Sequence, residues 1–214
     1  MNPLSIIFPP KCVLCGTILL AKEDRAEPCE ACLSKLPILK EPRVEIVPGL
    51  VCLAPLKYTD NVRQGLHGLK FGRRVTGIKY FARLMVQCLK RYGISDFDAV
   101  TWVPVSLARE RRRGYDQSEL LAHEIAKLIG SKSCRMIYKV RNVKPNSSLK
   151  TEEERRANVT GAFRLVPFVN SHDKLLLIDD VLTTGSTIAE CSALLTANGT
   201  KEIVVLAVAS AQRK

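Results

Sequence analysis

The stretch KLLLIDDVLTTGSTIAE, residues 174–190, decides the fold. Residues 175–178 are apolar without alternation, which suits a strand buried on both faces of a parallel sheet. Two acids, Asp179 and Asp180, follow at what reads as the carboxyl end of that strand. A turn of Thr183, Thr184, Gly185, Ser186 and Thr187 comes next, then a helix expected over residues 188–198 and closed by Gly199. Residues 203–208 read as a last buried strand, which makes a strand, helix, strand crossover unit.

The rest of the chain agrees with an α/β sheet. Strands are expected at residues 50–56, 99–103 and 135–140. Helices are expected from a Thr59 and Asp60 cap through about residue 69, over 75–91 ahead of Gly93, and over 118–129 ahead of Gly130. Residues 141–158 are polar and read mostly as a mobile loop, except that Thr151 followed by Glu154 forms a capping box for a short helix, TEEERRAN.

Composition sets the outer limits. The chain has 214 residues, enough for one substantial domain and a small appendage. Hydrophobic residues at 46% and charged residues at 25% exclude wholesale disorder. No apolar run approaches the roughly 18 residues that span a bilayer, and MNPLSIIFPPK lacks a basic leader and a small-residue cleavage site, so a cytoplasmic protein is expected. Lys plus Arg number 33 against 21 Asp plus Glu, and the formal charge of +12 favours polyanionic partners. Aromatic residues at 6% leave little material for base-stacking platforms.

Eight cysteines in a reducing compartment point to metal or catalysis rather than disulfides. Cys12 and Cys15 form one CxxC and Cys29 and Cys32 a second, separated by thirteen residues. Two such turns complete the tetrahedron zinc accepts from four sulfurs, and with no open position the role is structural. A redox dithiol would need only one CxxC. Apolar residues are too sparse here to form a core, so the metal supplies the folding free energy. Cys52, Cys88, Cys134 and Cys191 lack ligand spacing and read as small hydrophobes, and His67, His123 and His172 read as isolated structural residues.

The turn at residues 183–187 offers backbone N–H groups and four hydroxyls at a helix N-terminus, where the dipole favours phosphate. Gly185 permits close backbone approach. Adjacent acids at a strand's carboxyl end can accept hydrogen bonds from vicinal ribose hydroxyls, so the two features together describe a sugar phosphate site. An ordinary capped helix explains one hydroxyl but not an acidic pair with four. The chain has no GxxxxGK[ST] and no GxGxxG, which excludes those nucleotide motifs.

On these residues the chain can be compared with a family. LLLIDDVLTTGST resembles the motif by which type I phosphoribosyltransferases bind phosphoribosyl pyrophosphate (PRPP). With the paired CxxC, the KFG at residues 70–72, VPVSLARERRRGYDQSELLA at 103–122 and ERRANVTGAF at 154–163, the chain is similar to the ComF family over nearly its whole length. The resemblance implies a type I phosphoribosyltransferase-like parallel sheet flanked by helices, residues 48–214, behind a small four-cysteine zinc module, residues 1–47. It implies that Asp179 and Asp180 meet ribose and that Thr183, Thr184, Gly185, Ser186 and Thr187 hold the 5-phosphate. Val105, Ser106 and Leu107, with Arg109 and Arg113 nearby, would face pyrophosphate, whose oxygens suit bidentate arginine forks. Magnesium would accompany PRPP as a hard-oxygen cation. The family role implied is natural transformation and DNA uptake. Open alternatives are a non-catalytic adaptor for single-stranded DNA or a helicase partner, and a nucleotide-salvage transferase; an active enzyme would be a glycosyltransferase of phosphoribosyltransferase type. The chain departs from the family pattern at Val143 and Asn146, usually threonine and glutamine, and at Asp116, usually asparagine.

Overall fold

The structure, a computed structural model, describes residues 9–19, 27–71, 75–143 and 151–212. In chain order the elements are α1 (Glu30–Leu33), β1 (Arg43–Val44), β2 (Val51–Leu53), β3 (Leu56–Lys57), α2 (Asp60–Phe71), α3 (Gly77–Arg91) and β4 (Ala99–Trp102). They continue with α4 (Leu107–Arg113), α5 (Gln117–Ile129), β5 (Lys132–Ser133), β6 (Ile137–Lys139), α6 (Glu152–Val159) and β7 (Phe163–Leu165). The last three are β8 (Lys174–Leu182), α7 (Ser186–Ala197) and β9 (Glu202–Ser210).

The main sheet runs β1-β2-β9-β8-β4-β5, with β3 also pairing with β9. Every pairing is parallel except β1 with β2. A parallel sheet needs cover on both faces, and the side-chain period of two distributes the apolar residues accordingly. Leu176 and Ile178 of β8 and Val204, Leu206 and Val208 of β9 join one core with α2, α3 and α5. Leu175 and Leu177, with Ile203, Val205 and Ala207, join the other with Ile188, Cys191 and Leu195 of α7.

Some elements differ from the sequence expectations for visible reasons. The single strand expected over 50–56 is two short strands, because Pro55 has no N–H for a ladder. β2 and β3 then pair with successive parts of β9, at Val204–Leu206 and at Ala209 and Ser210. The strand expected over 135–140 leaves the main sheet and pairs antiparallel with β7. Most of the expected loop over 141–158 falls on residues 144–150, outside the described residues. Beyond it the Thr151 capping box forms as expected, the Glu154 amide donating to the Thr151 hydroxyl at 3.1 Å and the Thr151 amide to the Glu154 carboxylate at 3.3 Å.

The cysteine-bearing segment does not stand apart. Cys12, Val13, Leu14, Leu19 and Cys32 share the first core with α2 and α3. Among the described residues no helix is long and apolar enough to cross a membrane.

Candidate functional site

The cysteine cluster forms first in the chain and fits a metal ion. The sulfurs of Cys12, Cys15, Cys29 and Cys32 all lie within 4.8 Å of one another, and those of Cys15 and Cys29 are 3.8 Å apart. A zinc ion with sulfur at about 2.3 Å in a tetrahedron needs sulfur separations of about 3.8 Å, so the Cys15 and Cys29 pair already has that spacing and the four thiols together are close enough to converge on one ion. The Cys29 amide donates to the Cys12 sulfur at 3.2 Å, the outer-sphere bond that orients a thiolate ligand. Cys52, Cys88 and Cys191 are buried away from this cluster, as small apolar residues would be, and Cys134 is half-buried.

The second site lies where β8 leads into α7. β8 continues to Leu182, so Asp179 and Asp180 lie within the strand, two residues short of its end. Alternation then separates them. Asp180 shares the face of Leu176 and Ile178, toward α2, and Asp179 the face of Leu175 and Leu177. The Asp180 amide donates to Asp179 Oδ1 at 2.8 Å.

On the α2 side, Asp180 forms an ion pair with Lys70, their side chains 12% and 26% exposed. Burial alone would raise the Asp180 carboxyl, but the charge and hydrogen bond of Lys70, with Arg113 behind, outweigh it and hold it below the usual carboxylate range. Burial and then the neighbouring Asp180 charge push Asp179 well above that range. Burial would lower the Lys70 ammonium, yet Asp180 beside it raises it. The two shifts run in opposite directions, and Lys70 already faces the acid that is held low.

The turn after β8 depends on the glycine at its centre, which packs against residues 46 and 47. Gly185 takes φ +79°, and a Cβ there would come within 3.0 Å of Val47 Cγ2 and 3.1 Å of the Ile46 carbonyl oxygen. Only glycine satisfies both limits. Thr184 and Ser186 hydroxyls are 3.1 Å apart, and Thr183 is exposed with Thr187 half-buried. Ser186 begins α7, whose first-turn amides lie at the positive end of the helix dipole.

The third part is the turn between β4 and α5. Val105 leads into Ser106, the N-cap of α4, and Leu107, its first residue, is 58% exposed. Ser106 is buried and its hydroxyl has no partner among the described residues. Asp116 holds this turn from below: its carboxylate accepts from the amides of Val105 at 2.8 Å, Ser118 at 2.9 Å and Glu119 at 3.4 Å. Burial raises its carboxyl to about 6 against those three amides.

Arg113 stacks 4.8 Å over the Phe71 ring and donates to Gln117 Oε1 at 2.7 Å. Arg112 lies 5.9 Å from the same ring, which His67 meets from another side at 4.7 Å. Lys70, Phe71, Arg112, Arg113 and Tyr115 line a cleft of about 420 Å³. Arg109 instead donates to the Val143 carbonyl at 3.1 Å, so of the two arginines expected near pyrophosphate only Arg113 lines the cleft.

Sequence reasoning missed two lysines. Lys70 enters it only as part of KFG, and its site partner is 110 residues away. Lys139 of β6 has a pKa lowered to about 8, by burial and then by the Arg109 charge, and it feels the Asp179 carboxylate. No local pattern marks either one.

The architecture and its two sites define a mixed α/β protein with a mostly parallel sheet, a strand-to-helix acid and hydroxyl turn, and an N-terminal four-cysteine metal site. The double zinc ribbon domain matches residues 3–45. DNA utilization protein YhgH of Salmonella typhimurium is 32% identical over 200 residues, 91% of this chain and 81% of that protein. Competence protein F of Haemophilus influenzae is 35% identical over 117 residues, 53% of this chain and 51% of that one. The chain belongs to the ComF family, with the YhgH proteins and competence protein F. Solved structures similar to it include glutamine PRPP amidotransferase from B. subtilis, at TM-score 0.42 and 20% identity over 62% of this chain and 26% of that one. Orotate phosphoribosyltransferase from Aeropyrum pernix has TM-score 0.39 and 15% identity over 64% and 76%.

Proposed function

We propose that this protein binds PRPP with magnesium where β8 meets α7, and that it serves the uptake or use of DNA. One observation carries the reading: β8 passes through Asp179 and Asp180 directly into the four-hydroxyl turn opening α7, beside a cleft lined by Lys70, Arg112 and Arg113. In this reading Thr183, Thr184, Gly185, Ser186 and Thr187 receive the 5-phosphate. Val105, Ser106, Leu107 and Arg113, with Arg109 alongside, face the pyrophosphate. Asp180, on the Lys70 side of the strand, meets the ribose diol, and Asp179 supports it from the residue before, its carboxylate accepting from the Asp180 amide. Magnesium keeps several waters and prefers hard oxygens, so the pyrophosphate and ribose oxygens of the ligand would hold it. The reading divides the chain into a zinc module, residues 1–47, and a phosphoribosyltransferase-like domain, residues 48–214. The names of the relatives support the DNA role.

If transfer occurs, the chain's task is to hold the ligand still and to stabilise departing pyrophosphate with fixed cations. Titration calorimetry with PRPP and magnesium tests the binding. Heat of binding is expected for the wild type and none for Asp179→Asn plus Asp180→Asn; equal heats in the two proteins would refute the site. Pyrophosphate release in a screen of purines, pyrimidines and amines separates a salvage transferase from a binding protein.

A second reading, an adaptor for single-stranded DNA, is favoured by the exposed Arg111 and Arg112 on α4 in a chain of charge +12. Phosphate contacts release counterions, so its affinity for oligonucleotides must fall steeply with salt. No binding at low salt would exclude it.

A further inference from the structure

The cleft beside β8 carries more positive charge than the structure uses. Lys70, Arg112 and Arg113 line it, and Asp180 is the one carboxylate paired there among the described residues. Arg113 is turned in by Phe71 and Gln117, but its Nε is buried without a hydrogen-bond partner among the described residues. Buried polar groups left unsatisfied are costly, and cations gathered around one carboxylate repel each other, so both features are relieved by an anion carrying several oxygens. A volume of about 420 Å³ is within the usual range for small-ligand sites.

Lys70 occupies the centre of this arrangement. Its ammonium is committed to Asp180, yet its side chain is 26% exposed and lines the cleft, whereas Asp180 is 12% exposed. A lysine of this kind is a point charge on a flexible four-carbon stem, able to exchange one anion for another without moving the helix that bears it. Asp180, fixed in β8, cannot follow.

We infer that the Lys70–Asp180 ion pair is a latch: a diphosphate group entering the cleft draws Lys70 onto itself beside Arg113 and thereby frees the Asp180 carboxylate for the ligand's hydroxyls. This deepens the proposed PRPP reading by naming the cation that receives the pyrophosphate group and the exchange that admits it. The latch makes Asp180 a competitor for Lys70, so the two residues act on a bare diphosphate with opposite sign. Lys70→Met loses a receiving charge, whereas Asp180→Asn releases one.

Calorimetry on the zinc-loaded protein, without added divalent cation, tests this with inorganic pyrophosphate, ADP and PRPP in separate titrations. Lys70→Met is expected to weaken pyrophosphate at least tenfold, and Asp180→Asn to tighten it several-fold while weakening PRPP, whose diol needs the Asp180 contact. ADP binding as pyrophosphate does, with both variants moving it alike, would support the latch for diphosphates in general. Lys70→Met binding pyrophosphate as tightly as wild type, or Asp180→Asn binding it more weakly, overturns the inference. Should either single variant fail to fold, Lys70→Met/Asp180→Asn leaves no charge unpaired and must still bind pyrophosphate more weakly than wild type. A wild type that binds pyrophosphate but does not bind PRPP even with magnesium restored ends the PRPP reading and keeps the latch; one that binds neither, with or without magnesium, ends both.

Discussion

Two glycines face the zinc-ligating segment, and the structure assigns them opposite fates when replaced by alanine. Gly65 is in the middle of α2. A Cβ there would lie 2.9 Å from Leu14 Cδ2, 3.2 Å from the Val13 carbonyl oxygen and 3.3 Å from Phe81 Cζ. Leu14 and Phe81 are fully buried, so neither has free space to yield into. Alanine in a helix interior gains about 1 kcal/mol over glycine, whereas forcing a methyl into a packed core costs about 1–3 kcal/mol. The clash with a backbone carbonyl as well as two buried side chains puts Gly65→Ala toward the upper part of that cost, for a net loss of about 1–2 kcal/mol. In a chain of this size that lowers the melting temperature by roughly 2–8 °C. Gly77 opens α3 and faces the same segment, but a Cβ there would meet Leu69 Cδ2 at 3.4 Å and Val13 Cβ at 3.5 Å, ordinary contact distances. Gly77→Ala should therefore leave stability unchanged or slightly higher. Thermal melts of the two variants beside wild type, with zinc content measured on each, decide the matter. Gly65→Ala melting with or above wild type, or Gly77→Ala proving the more harmful, would refute the docking of the cysteine segment on α2.

Asp116 and the metal site give two more predictions. Burial raises the Asp116 carboxyl from 3.8 to about 6. Between those values the folded chain holds more proton than the unfolded one, so this group makes stability fall as pH rises from about 4 to 6. Asp116→Asn lacks that slope, and its stability relative to wild type should therefore rise over the same window by about 2–3 kcal/mol, read by denaturant melts at each pH. A constant difference from pH 4 to 7 would show the carboxyl to be unshifted. Removing zinc with a chelator should strip hydrogen-exchange protection from the Gly16 amide, which donates to Cys12, and the Leu33 amide, which donates to Cys29. Protection persisting in the metal-free protein would mean that the segment folds without its ion.

What the sequence makes legible is what rests on local pattern. β8 and β9 are apolar on both faces, and that reads directly as the centre of a parallel sheet. The CxxC spacing foretells the four sulfurs that converge, and Thr151 with Glu154 foretells a capping box because both of its bonds lie within four residues. α4 has no buried residue, so LARERRR carries no apolar period and shows only as charge. The acids show a subtler failure. Their adjacency suggests a joint grip on one diol, but a strand that continues to Leu182 turns neighbours to opposite faces, and no residue pattern announces how far a strand will run. Lys70 and Lys139 acquire their partners only when α2 and β6 pack against the sheet, a tertiary event with no local trace.

The helix α2 joins these observations physically. Gly65, against Leu14 and Val13, and Lys70, on Asp180, are five residues apart on it, which is about 7.5 Å along the axis. Val62, Leu66 and Leu69 of the same helix are almost wholly buried in the core that also holds Cys12 and Cys32. Packed interiors of this density transmit small displacements rather than absorbing them. The cysteine segment therefore forms part of the wall that sets how far Lys70 reaches toward β8. A metal held by Cys12 and Cys32 would therefore reach the proposed latch only through that shared packing, by steadying the helix that carries Lys70.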